Sequence, residues 1–136
     1  MSTMTSRNSS YVLAAVIALA PAFAIAHHTF GYVYNTSQYH EIEGEVIFLR
    51  WENPHILFNM RTDDGEVWEI ESNSPGGMER RTITREVISP GSRFRLAGFP
   101  ARNGDRGIHA SNILFPDGHE VVLRPGTDPR WTKPAQ

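Results

Sequence analysis

Between Ile42 and Leu123, six short runs place apolar residues at alternate positions, and turn residues such as Gly, Pro, Asn or Asp close them. A period of two puts successive side chains on opposite faces of a strand, so such runs predict half-buried β-strands rather than helices. In the second run, His55 to Arg61, Ile56, Phe58 and Met60 share one face and His55, Asn59 and Arg61 the other. Leu57 breaks that alternation. Thr62-Asp63-Asp64-Gly65 then predicts a hairpin, because Asp-Gly supplies the positive φ such turns need. Trp68 and Ile70 form the inward pair of its return strand. Gly44, inside the long first run, stands where a bulge would bend that strand.

One helix is expected, over Met78–Glu86, with Ser74 as its cap and Pro75 at its first position. Ser89-Pro90-Gly91 and Pro116-Asp117-Gly118 turn the chain into later strands. Three strands, a helix, then two or three strands is the order of an OB-like fold. The expectation is therefore all-β: a small Greek-key barrel of five to six strands, with one short helix between strands three and four. A sandwich of six short strands is the rival, and it accounts less well for the helix.

Ahead of the strands, residues 1–10 carry a lone Arg7, and Tyr11–Ala20 is an apolar run of ten, followed by Pro21 and Ala-Phe-Ala-Ile-Ala. A positive start, a short apolar stretch and small residues at a cut site predict a secretory leader. The run is well short of the ~20 residues a spanning helix needs. Cleavage after Ala26 would leave His27 first, and cleavage after Ala24 would leave it third. The expected organisation is a leader at 1–26, an N-terminal arm at 27–40, a barrel at 41–124 and an irregular tail at 125–136. The expected address is periplasmic or secreted, with no stable membrane span once the leader is removed.

The 136 residues include 13 Lys or Arg and 15 Asp or Glu, a formal net charge of −2. That balance supplies no basic field for nucleic acid, and no nucleic-acid partner is expected. The chain has no Cys. Disulfides, thiolate catalysis and Cys-ligated metal centres are thereby excluded.

Processing gives the arm its chemistry. A free α-amine on His27 and its ring Nδ1 close a chelate around one metal ion, and His28 follows directly. With His27 third instead, the amine, two deprotonated amides and the imidazole wrap a square plane. Both arrangements favour Cu(II), and the second also Ni(II). His55, at the start of a strand after Pro54, is the expected third imidazole, with Trp51 four residues before it. His40, His109 and His119 read as surface residues, each an alternative to His55 as the third ligand.

Other constellations are weaker. Glu69 and Glu71 share a strand face and read as solvated carboxylates. Arg80, Arg81, Arg85, Arg93 and Arg95, diluted by Glu79 and Glu86, read as a salt-bridged surface. No nucleophile elbow, phosphate loop or dinucleotide fingerprint is present.

His27-His28-Thr29-Phe30, Trp51-Glu52-Asn53-Pro54-His55, and Asp64-Gly65 followed by Trp68 and Glu69 form an ordered set of motifs. Ser74-Pro75 with a following Arg, Pro90-Gly91, Phe99-Pro100-Ala101-Arg102-Asn103-Gly104 and Pro116-Asp117-Gly118 complete it. On these the chain resembles a family of short secreted bacterial proteins known only as a domain of unknown function. It departs in having Thr29 where Ser is more usual, and Gly77-Met78 where a Leu is expected. The resemblance implies a periplasmic β-rich domain and a pattern built on the His-His pair and Asn-Pro-His; it implies no activity.

The resulting expectation is a secreted metal-binding accessory or carrier, with copper as the metal and His27, His28 and His55 as ligands. Its partner would be a periplasmic redox enzyme or a metal-trafficking protein. The alternative is a non-metal OB-like module docking a periplasmic protein or glycan on a face bearing Trp51 and Trp68. A copper oxidase ranks behind both, and no catalytic residue is assigned.

Overall fold

A computed structural model describes residues 30–132. His27 and His28, and the whole of the expected leader, lie outside the described residues. The compact unit begins at Val33, and the architecture below belongs to it.

The elements are β1 (His40–Arg50), β2 (Leu57–Thr62), β3 (Val67–Glu71), α1 (Pro75–Glu79), β4 (Arg93–Pro100), β5 (Gly107–Leu114) and β6 (Glu120–Val122). The sheet runs β3-β2-β1-β4-β5-β6. All neighbours are antiparallel, and a parallel pairing of β3 with β5, Glu69 opposite Gly107 through Glu71 opposite His109, closes the sheet on itself. The result is a closed five-stranded OB-like barrel with β6 as an extra strand on β5, all-β apart from short helical turns.

Strand parity decides the core. Ile56, Phe58 and Met60 are fully buried, as is Ile70 opposite Phe58. Phe58 meets the Phe94 ring edge-on at 6.2 Å between centroids. Each such side chain contributes about 1.5–3 kcal/mol on burial. Gly65, at φ 88°, makes the expected hairpin turn, with Thr62 N–H donating to Glu66 C=O at 2.9 Å.

Gly44 is not a bulge. The irregularity in β1 lies between Val46 and Phe48. Gly44 stands instead where β1 crosses β2 so closely that a Cβ would strike the Arg61 carbonyl. The same crowding occurs at Gly98, where a Cβ would strike the backbone of His109.

The helix is shorter and earlier than expected. Ser74 caps it, its hydroxyl accepting from Gly77 N–H at 3.2 Å, and Pro75 opens it. It ends at Glu79 because Thr82 takes φ 64°, a left-handed turn, and the N–H groups of Arg81 and Ile83 both fold back onto the Met78 carbonyl. Met78, Ile83 and Ile88 then enter the barrel core.

Among the described residues after β6, 123–132, there is no regular structure, but the segment is strapped down. Glu120 accepts the backbone N–H groups of Arg130, Trp131 and Thr132 at 2.6, 3.0 and 2.8 Å, and also the Thr132 hydroxyl. Arg130 pairs with Glu41 at 2.6 Å and lies over the Tyr39 ring. Arg93 pairs with Asp63 and Arg95 with Glu43 at 2.7 and 3.1 Å. The Arg93 and Arg95 pairs belong to the salt-bridged surface expected of the arginines, with Asp63 and Glu43 as the acids in place of Glu79 and Glu86, and solvent screening keeps such exposed pairs weak.

Candidate functional site

The β2–β3 ladder continues past its named strands. Ile56 N–H donates to Asn73 C=O at 3.0 Å and Ser72 N–H to Ile56 C=O at 2.9 Å. His55 is therefore held on the sheet, just after the cis Asn53–Pro54 peptide. Because Ile56 points into the core, His55 points outward. Leu57 faces Glu71 across the ladder, so Glu71 is the diagonal neighbour of His55 on the outer face.

The diagonal is used. His55 Nδ1 lies 2.6 Å from Glu71 Oε1, with the imidazole side chain 53% exposed and the carboxylate 25%. The second carboxylate oxygen, Oε2, accepts the Tyr34 hydroxyl at 2.6 Å. Tyr34 comes from the arm before β1, where it bridges to Ala101. Burial, followed by the hydrogen bond to Glu71 and the charges of Glu71 and Glu69, pushes the Tyr34 hydroxyl well above its ordinary value of 10.0. It therefore stays protonated and stays a donor.

Behind Tyr34 lies His109, its ring 5.4 Å away and edge-on. His109 is a correction to the surface reading. Only 9% exposed, it sits on β5, where it faces Glu71 of β3 in the parallel register. Burial lowers it from 6.5 to about 4, with Glu71 opposing the shift and the charges of Arg124 and His55 adding to it. Glu71 is a correction too: it joins two rings instead of standing solvated.

Of the expected metal ligands, His55 is on the barrel and His27 and His28 are outside the described residues. Among the described residues, no group of three or more His, Asp or Glu stands close enough to hold a metal ion. A His55-bound metal therefore needs donors from elsewhere in the chain or from solvent. Trp51 and Trp68 are half-buried and pack against the core. Trp68 also stacks on His40, 4.5 Å between centroids, which gives that histidine a packing role. His119 is exposed, as expected.

His55, Glu71, Glu69, Leu57 and Arg50 line a shallow cleft of about 270 Å³. A larger one, about 490 Å³, lies by Arg93, Arg95 and Phe115. Its guanidinium groups are committed to Asp63 and Glu43, whereas the smaller cleft presents an outward imidazole that is half exposed.

Sequence reasoning missed Tyr34, Glu71 and His109. A signal for Glu71 existed: once Asp64-Gly65 fixes the hairpin, counting back along both strands puts Glu71 diagonal to His55. Nothing local announces Tyr34, which arrives from outside the hairpin.

Among the described residues no helix is long and apolar enough to cross a membrane. Comparison with curated proteins gives no match. A family model matches residues 15–110, reaching from ahead of the arm through the first half of β5, and the chain belongs to that family, the family of unknown function DUF6152.

Proposed function

We propose that this chain is an extracytoplasmic metal-binding accessory or carrier protein, that copper is its metal, and that His55 is its barrel-borne ligand. One observation carries the reading: the His55 Nδ1 is held 2.6 Å from the Glu71 carboxylate on a ring that is half exposed. Imidazoles that bind metals commonly give one nitrogen to a carboxylate, which fixes the ring and raises the basicity of the other. An ordinary surface His-Glu pair needs no third group, whereas here a half-buried phenol anchors the far side of the carboxylate.

The sequence supplies the remaining support. His27 and His28 follow a leader-like segment, and a new terminus there adds an α-amine to two imidazoles. Nitrogen donors of that kind bind Cu(II) most tightly among the divalent first-row metals. The partner would be a periplasmic redox enzyme or a metal-trafficking protein.

Isothermal titration with Cu(II) of protein exported from cells, its terminus verified by mass spectrometry, tests this. Micromolar or tighter binding that collapses when one residue is added before the native terminus is the expected result. Equally weak binding by both forms overturns it.

A second reading is favoured by Phe48 and Val67, 52% and 42% exposed on the outer face of β1 and β3. They suit a docking module for a periplasmic protein or glycan, in the manner of other OB-like barrels. Partner capture that survives a chelator and is lost in Phe48→Ser distinguishes it.

A further inference from the structure

We propose that Tyr34 is a positioning residue for His55, acting through Glu71 to keep the imidazole proton on Nδ1 and the lone pair on Nε2. The use of that lone pair rests on the metal-binding reading; the positioning itself does not.

An ionised carboxylate only accepts hydrogen bonds. The two oxygens of Glu71 are taken from opposite sides, Oε2 by the Tyr34 hydroxyl and Oε1 by His55 Nδ1, each at 2.6 Å. A nitrogen that close to an acceptor must carry the proton. The neutral ring is then left with its lone pair on Nε2, the atom from which a metal can be held. In water a neutral imidazole prefers the opposite form, with the proton on Nε2. The arrangement therefore reverses a natural preference, and the carboxylate must be held still to do so.

Tyr34 does the holding, and its own aim is independent of His55. Its backbone bridges to Ala101, flanked by Asn35 N–H donating to Pro100 C=O and Arg102 N–H donating to Val33 C=O, both at 2.8 Å. Its ring rests edge-on against buried His109. The hydroxyl is thus delivered to Glu71 from a fixed frame. If Glu71 turns toward solvent, the part-buried bond from the Tyr34 hydroxyl is broken, and that loss opposes the turn. Tyr34→Phe keeps the backbone pairing and the ring contact and removes the hydroxyl that holds Glu71.

The test is a long-range ¹H–¹⁵N correlation spectrum of the histidine rings at about pH 8, where an ordinary imidazole is neutral. It is run on exported wild type, Tyr34→Phe and Glu71→Gln, each then titrated with Cu(II). Unchanged ring signals for His40 and His119 establish that the variants fold. The wild type is expected to show His55 protonated on Nδ1. Tyr34→Phe moves it to a mixture richer in the Nε2–H form, and Glu71→Gln moves it at least as far. Cu(II) affinity falls by about tenfold in Tyr34→Phe, as for other residues that orient a metal ligand. A His55 spectrum in Tyr34→Phe identical to wild type overturns the proposal, even where wild type binds Cu(II). A shifted spectrum together with no Cu(II) binding by wild type upholds the positioning and overturns the metal-binding reading alone.

Discussion

Gly98 on β4 passes so close to His109 on β5 that a single added methyl would meet the His109 carbonyl and the Ile108 side chain. This contact sits at a register shift between Ala97 and Gly98, on the seam that carries His109 to its place behind Tyr34. Fold and site thus share a constraint.

Gly98→Ala is expected to lose about 3 kcal/mol, because both strands are locked in the closed barrel and neither can retreat. Urea denaturation measures this as a lower midpoint. Gly44→Ala, facing the Arg61 carbonyl, behaves the same way.

His109 gives the protein an acid-side weakness. Its ordinary value of 6.5 falls to about 4 in the fold, chiefly by burial. Between those two values the unfolded chain holds a proton that the folded chain rejects. Its contribution is therefore complete above pH 6.5 and is lost as pH drops toward 4. The full loss is about 3 kcal/mol. Unfolding free energies of wild type and His109→Gln measured across this range should diverge in slope, with the variant flatter.

Glu120 acts in a lower window. Burial opposes its ionisation, but the N–H groups of Arg130, Thr132 and Trp131 outweigh that and hold the carboxyl from 4.5 down to about 2. The stabilisation it gives is present above the ordinary carboxylate value and disappears as pH falls through the lower one. Glu120→Gln should cost about 2 kcal/mol at neutral pH, the worth of charge-assisted bonds made to one carboxylate. Hydrogen exchange at the amides of residues 130–132 should quicken in the same variant.

Thr82, a β-branched residue at φ 64°, is strained where α1 ends. Thr82→Asn should raise stability by about 0.5–1 kcal/mol, since Asn tolerates this region at less cost. Thermal melts read it directly.

Much of the barrel was legible because its signals are local. Ile56, Phe58 and Met60 alternate, Asp64-Gly65 sets the hairpin, and Ser74-Pro75 opens the helix. The helix was overextended because Arg80 to Glu86 suits a helix in composition, whereas the tertiary pull on Ile83 and Ile88 toward the core ends it at Glu79. Gly44 looked like a bulge because a strand glycine admits two explanations, and only the β1–β2 crossing selects close approach. His55 was readable from Pro54 and strand parity. His109 was not, since its burial depends on β5 closing against β3, a parallel pairing between strands far apart in sequence. The anchoring of Glu120 is closer in sequence, its donors ten to twelve residues on, but they lie in a segment with no periodicity to announce it.

The central claim, that the barrel contributes the His55 imidazole to a bound metal, is tested most directly by electron paramagnetic resonance of the Cu(II)-loaded exported protein. Wild type and His55→Asn are compared by nitrogen hyperfine couplings. The account predicts that the variant loses the coupling of one imidazole and keeps the rest. Identical spectra from the two proteins would contradict it.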